Sequence, residues 1–72
     1  MVDEPMSVGE ALPAEMARVR DKVMPAYLEI GAPGDIARML MRNDLDVAAN
    51  AMAQGDVIAM IRALESLRGW EL

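Results

Sequence analysis

The stretch Asp35–Gly69, DIARMLMRNDLDVAANAMAQGDVIAMIRALESLRG, decides the fold. Its apolar residues recur at helical spacing and the pattern breaks once, at Gln54-Gly55-Asp56. Before the break, Ile36, Ala37, Leu40, Met41, Leu45, Val47, Ala48, Ala51 and Met52 cover about half of a helical wheel. Arg38, Arg42, Asp46 and Asn50 take the other half, with Met39 among them. An apolar arc that wide exceeds what one neighbouring helix covers, so the pattern predicts two neighbours, or a neighbour and another chain. Gly55 is placed to close this helix and Asp56 to cap the next. After the break, Val57, Met60, Ile61, Leu64 and Leu67 form a second stripe, and Gly69 supplies a stop with Trp70 folding back on the last turn. The two helices read as an αα-hairpin.

Upstream, Leu12, Met16, Val19, Val23, Tyr27 and Ile30 fall on one stripe spaced 4, 3, 4, 4 and 3 residues. Pro13 then sits in the first turn, where proline is tolerated. Pro25 lies inside the pattern, removes a backbone donor and predicts a kink, because the stripe continues in phase beyond it. Gly31-Ala32-Pro33-Gly34 ends this helix. Residues 1–11, rich in Asp, Glu, Gly and Pro, read as a flexible acidic leader, and 12–72 as a single helical domain. The expectation is an all-α protein of three short helices over 12–30, 34–54 and 56–68, with no β-strand pattern.

At 72 residues and 54% apolar content the chain is one small domain with enough apolar surface for a core. Domains of this size bury only about 60% of their unfolded surface, and this one has no Cys for a disulfide and neither Cys nor His for zinc. Self-association, most simply a homodimer, is the expected remedy. Without His and Cys, imidazole and thiolate catalysis are excluded, and so short a chain has little room for a supported cleft, so no enzyme activity and no cofactor are expected. The net charge of −5 argues against binding nucleic acid phosphates. No apolar run is long enough to cross a membrane, and Met1–Met6 is acidic where an export signal would be basic, which points to the cytoplasm.

Eight Met accompany only two aromatics, Tyr27 and Trp70. Met16, Met41, Met52 and Met60 sit on their stripes and read as core. Met39 does not, and with Arg38 and Arg42 it forms an outward strip suited to a partner. The four-residue spacing of the two Arg puts them on one face, placed for a carboxylate-bearing partner or for pairing with Asp35 and Asp46 along the helix. Trp70 extends this candidate surface or seals the end of the hairpin. Asp44 lies within the second helix's apolar arc, so it needs a partner, and Arg18, Arg20 or Arg62, or a residue of a second subunit, are the candidates. Asp44-Leu45-Asp46 has a metal-like spacing but lacks the rest of a calcium loop, so no metal site is expected.

Two resemblances bear on function. Ala48–Gly69 resembles the hinge of a tetratricopeptide hairpin, which implies shared helix packing, because a single unit cannot form a repeat array. An acyl carrier protein is ruled out because neither Ser7 nor Ser66 has the Asp-Ser-Leu setting of the phosphopantetheine site. Met24-Pro25-Ala26-Tyr27, Ile30-Gly31, Leu45-Asp46-Val47-Ala48 and Gly55-Asp56-Val57 with Met60 resemble small helical proteins of Mu-like transposable phages of proteobacteria, over about two thirds of the chain. That resemblance implies a protein-interaction module that inhibits or modulates a host protein, such as a defence complex, a transcription regulator or a motility ATPase. The alternatives are a small phage assembly subunit and an acidic nucleic-acid mimic. The mimic fits least, because Arg18, Arg38, Arg42 and Arg62 are interleaved with the acids.

Overall fold

The structure, a computed structural model, describes residues 7–71. Among these every regular element is helical: α1 (Val8–Arg18), a π-helical segment (Val19–Val23), α2 (Met24–Leu28), α3 (Ala32–Gln54) and α4 (Val57–Arg68). Backbone angles stay right-handed helical at Arg18, Val19, Val23 and Met24, so the first three segments run on as one arm. The molecule is therefore three helical rods.

The first rod begins at Val8, four residues before the predicted start at Leu12. The signal is local. Ser7 is the N-cap, its Oγ donates to Glu10 Oε1 at 3.0 Å, and its carbonyl accepts from the amides of Glu10 and Ala11, which opens the helix. Residues 8–11 thus belong to the helix and Ala11 to the core, while residues 1–6 of the predicted leader lie outside the described residues. Pro13 consequently sits inside α1 and not in its first turn.

Pro25 neither breaks nor sharply stops the rod. In the π segment the Met24 amide donates to the Val19 carbonyl, five residues back. This wider turn leaves room for a ring that would clash in a regular α-helix and absorbs the donor it lacks. It also takes up about one extra residue, which advances the inward face. Met24 is thereby drawn against the core, while Ile30, predicted as the last inward residue, is 57% exposed.

The core is Leu12, Val19 and Val23 of the arm, Met41, Ala48 and Ala51 of α3, and Met60, Ala63, Leu64 and Leu67 of α4, with Ala11 at the edge. The arm's α1 packs chiefly on α4, its α2 on the start of α3, and α3 on α4. Gly34 makes the second of these contacts possible: it is buried, and a Cβ there would collide with the Tyr27 carbonyl.

The α3–α4 connection follows the sequence closely. Gly55 is left-handed (φ 66°), its amide donates to Met52 O and the Asp56 amide to Ala51 O, which is a Schellman closure. Asp56 Oδ1 accepts from the Ala59 amide at 3.1 Å as the α4 N-cap. Asp56→Ala is expected to lose about 1 kcal/mol in urea unfolding, and an unchanged midpoint would show the cap to be idle.

The radius of gyration is 13.0 Å, the value of a compact domain of about 100 residues. The extra spread has a visible cost in burial. Ile36, Leu40 and Val47 on α3 are 68%, 52% and 47% exposed, so the wide apolar arc of α3 is not covered within the chain. No helix of the described residues is long and apolar enough to cross a membrane.

Candidate functional site

Arg38, Met39 and Arg42 come together as expected, on the walls of an open cleft of about 460 Å³ shared with Met24, Asp35, Asn43 and Asp46. Met39 is the most exposed large apolar side chain among the described residues, at 71%. Of the two settings expected for these Arg, a carboxylate-bearing partner or pairing along the helix, Arg38 adopts the second. Arg38 Nη2 is turned onto Asp35, one turn back along α3, and Asp46 lines the same cleft as Arg42. Two guanidinium groups and two carboxylates line the cleft, so its formal charges balance. Among the described residues Arg38 Nε is shielded from solvent without a hydrogen-bond partner, and Arg42 forms no ion pair.

Trp70 does not line this cleft. It sits where all the rods meet, half-buried. Its indole N–H donates to Asp44 Oδ2 at 2.8 Å, and its ring stands edge-on to Tyr27, with centroids 6.4 Å apart. Asp44 therefore finds its partner within the chain, and the partner is an indole and not Arg18, Arg20 or Arg62. Composition favoured an arginine, because an ion pair is the usual answer to a half-buried carboxylate. An uncharged N–H satisfies the same lone pair with less desolvation.

Arg18 has another task. Its Nη2 donates to Leu67 O at 3.1 Å and to Trp70 O at 2.7 Å, while its Nε is held by Glu15 at 3.1 Å. A cation on Leu67 O, in the last turn of α4, and on Trp70 O just beyond it complements the negative end of the helix and adds to the Trp70 amide that Leu67 O already accepts. The Tyr27 hydroxyl adds a longer bond to Glu71 O at 3.4 Å. Together these contacts form a clasp that ties residues 67–71 to the arm and to α3. Apart from Arg18 with Glu15, one turn away, its pairings carry no local sequence signal, because the partners lie far apart in the chain.

No known protein family matches the chain, and no curated protein or solved structure is significantly similar to it. Chemistry therefore has to be read from the surfaces alone.

A second groove, about 330 Å³, runs between α3 and α4. Val47 and Ile58 form its apolar walls, the small Ala59, Ala63 and Ser66 line it, and Asp44, Asp56 and Arg62 stand at its polar edge. Ile58 is 65% exposed. Among the described residues no group of three or more His, Cys, Asp or Glu is placed to hold a metal ion. On the arm, the exposed Asp21 is held below the usual carboxylate range, first by its hydrogen bond from Arg20, away from both clefts.

Proposed function

We propose that this chain is a non-enzymatic protein-interaction module, a phage-encoded inhibitor or modulator that binds a host protein in the host cytoplasm. The supporting observation is the number of large aliphatic side chains left in solvent on so small a domain: Ile36, Met39, Leu40 and Val47 on α3 and Val57, Ile58 and Ile61 on α4. A lone exposed aliphatic needs no explanation, but grouped ones mark contact surfaces. The reading includes a homodimer and α3 with α4 as an αα-hairpin. Leu28 and Ile30 at the end of the arm, and Val57 and Ile61 on α4, lie outside the α3 stripe and are available for self-contact.

The test is recovery of the tagged chain from host lysate, with mass spectrometry of what comes with it. One host protein should be enriched, and Met39→Glu, with unchanged melting, should weaken its purified binding at least tenfold, about 1.4 kcal/mol. Recovery of only the chain itself would remove the host-target reading and favour an assembly subunit.

A further inference from the structure

We infer that a second copy of this chain packs on the outer face of the α3–α4 hairpin, antiparallel, with α3 against α3 about a two-fold axis between residues 43 and 44. The inference rests on the homodimer named in the reading above and adds its face and its register. At 100° per residue Ile36, Leu40 and Val47 fall within about 40° of one another, on the side of α3 turned away from buried Met41. Val47 and Ile58 line one groove, so the stripe continues onto α4. Met39 and its cleft lie on another side of α3 and stay free for a host protein.

Area selects this face. At their exposures Ile36, Leu40, Val47 and Ile58 leave roughly 400 Å² of aliphatic surface in solvent, and contact surfaces are about 60% apolar, so the face covers about 700 Å² per copy. Two such faces bury about 1,400 Å², inside the range of stable complexes. The pairs Leu28–Ile30 and Val57–Ile61 lie at opposite ends of α3, about 35 Å apart, and neither alone comes near that area. The cover must also be present when the chain folds. Among the described residues the core is seven large side chains and four Ala, which leaves so short a chain marginal by itself. A foreign protein would leave the free chain to fold on that core alone, whereas a second copy is present wherever the chain is.

Symmetry fixes the register, because a two-fold contact pairs each residue with its counterpart's opposite number. With the axis between residues 43 and 44, Leu40 of each copy faces the second copy's Val47. Ile36 lies level with the second copy's Ala51, beside which the chain turns towards Ile58. Antiparallel pairing puts both α4 helices on one side, so the two grooves close on each other and cover Ile58. Parallel pairing would leave Ile58 in solvent. Asp44 and Arg62 line the same groove, and Arg62 forms no ion pair among the described residues. The axis therefore gathers two carboxylates and two guanidinium groups of balanced charge, each Arg62 beside the second copy's Asp44.

The chain has no Cys, so a single one can report the register. Asn43 and Asn50 are both exposed on α3. Across the axis the two Cα atoms of residue 43 lie about 6 Å apart, within disulfide reach, and those of residue 50 about 20 Å. Asn43→Cys should oxidise mostly to a covalent dimer, and Asn50→Cys should give less than about a tenth as much. Light scattering of the full chain at about 50 µM should show a dimer. Val47→Lys should make it a monomer, while Ile61→Lys should leave it intact. Arg62→Glu should weaken the dimer at least tenfold, and Lys22→Glu, the same charge change on the exposed arm, less than twofold. A monomeric parent, a dimer indifferent to Val47→Lys, equal losses for the two charge variants, or cross-linking at residue 50 as readily as at 43 would each overturn the proposal. A monomer that still captures one host protein through Met39 would overturn it while leaving the interaction-module reading intact. A dimer cross-linked at residue 43 that captures no host protein would support it and remove the host-target reading.

Discussion

Replacing Trp70 with alanine is expected to cost about 3 kcal/mol of folding stability. The side chain is half-buried, which sets the loss at the lower end for a large aromatic. Its removal also strips the edge-on contact from Tyr27 and the donor from Asp44. A carboxylate left half-buried without its partner adds to the transfer loss. A domain of this length has a total stability of only about 4–11 kcal/mol, so the melting temperature should fall by more than about 10 °C at fixed protein concentration. Circular dichroism is the measurement, since the variant has no tryptophan left to report. Trp70→Phe separates the two contributions. It keeps a ring against Tyr27 and loses the indole N–H, for an expected cost of about 1–2 kcal/mol. If Trp70→Ala melts like the parent, the clasp contributes nothing to stability.

Gly34→Ala should be nearly as damaging, by about 2–3 kcal/mol, although the same change in a helix normally stabilises by up to about 1 kcal/mol. Gly34 has no need of glycine's conformational freedom, because its φ is not positive. What it provides is proximity: the added Cβ would run into the Tyr27 carbonyl and lie 3.3 Å from Ile30 Cβ. Backbone cannot swing aside as a side chain can, so α2 and α3 would have to separate, loosening Tyr27 from Trp70 as well. Gly9→Ala is the matched control. Among the described residues a Cβ there meets only Ser7 Oγ, at 3.8 Å, and a small gain of about 0.5 kcal/mol is expected. Urea midpoints of opposite sign for the two variants would establish the close approach, whereas two gains would refute it.

What could be read from the residues, and what could not, divides by the range of the interaction. Gly55-Asp56 announced both the end of α3 and the cap of α4, since each is decided within five residues. Leu12, Val19, Val23, Met60, Leu64 and Leu67 were placed in the core by period alone, and the surplus apolar arc of α3 was legible for the same reason. The start at Val8 was legible in principle from Ser7 and Glu10, but Gly9 and Pro13 obscured it. The π segment carries no pattern of its own; only Pro25 hinted that something must give. Asp44 was recognised as needing a partner, but choosing Trp70 over an arginine required knowing where the end of the chain returns. Arg18 as a cap for α4 and Gly34 as a contact point are likewise facts about distant elements. Arg38, Met39 and Arg42 share one cleft with Asp35 and Asp46, the two acids that the four-residue periodicity already places beside them.

The clasp also orders events in time. Its bonds join residues 49, 52 and 44 positions apart in the chain, from Arg18 to Leu67 and Trp70 and from Tyr27 to Glu71. By contrast α3 and α4 are joined by a two-residue link. Contacts close in sequence form quickly, and loops of some 50 residues close at a greater entropic cost and a lower rate. The α3–α4 pair is therefore expected to form first and the arm to dock onto it later. In the folded molecule the same sequence runs in reverse. Amide exchange is expected to be faster in the arm than in α3 and α4, and equal protection across all three rods would refute that order.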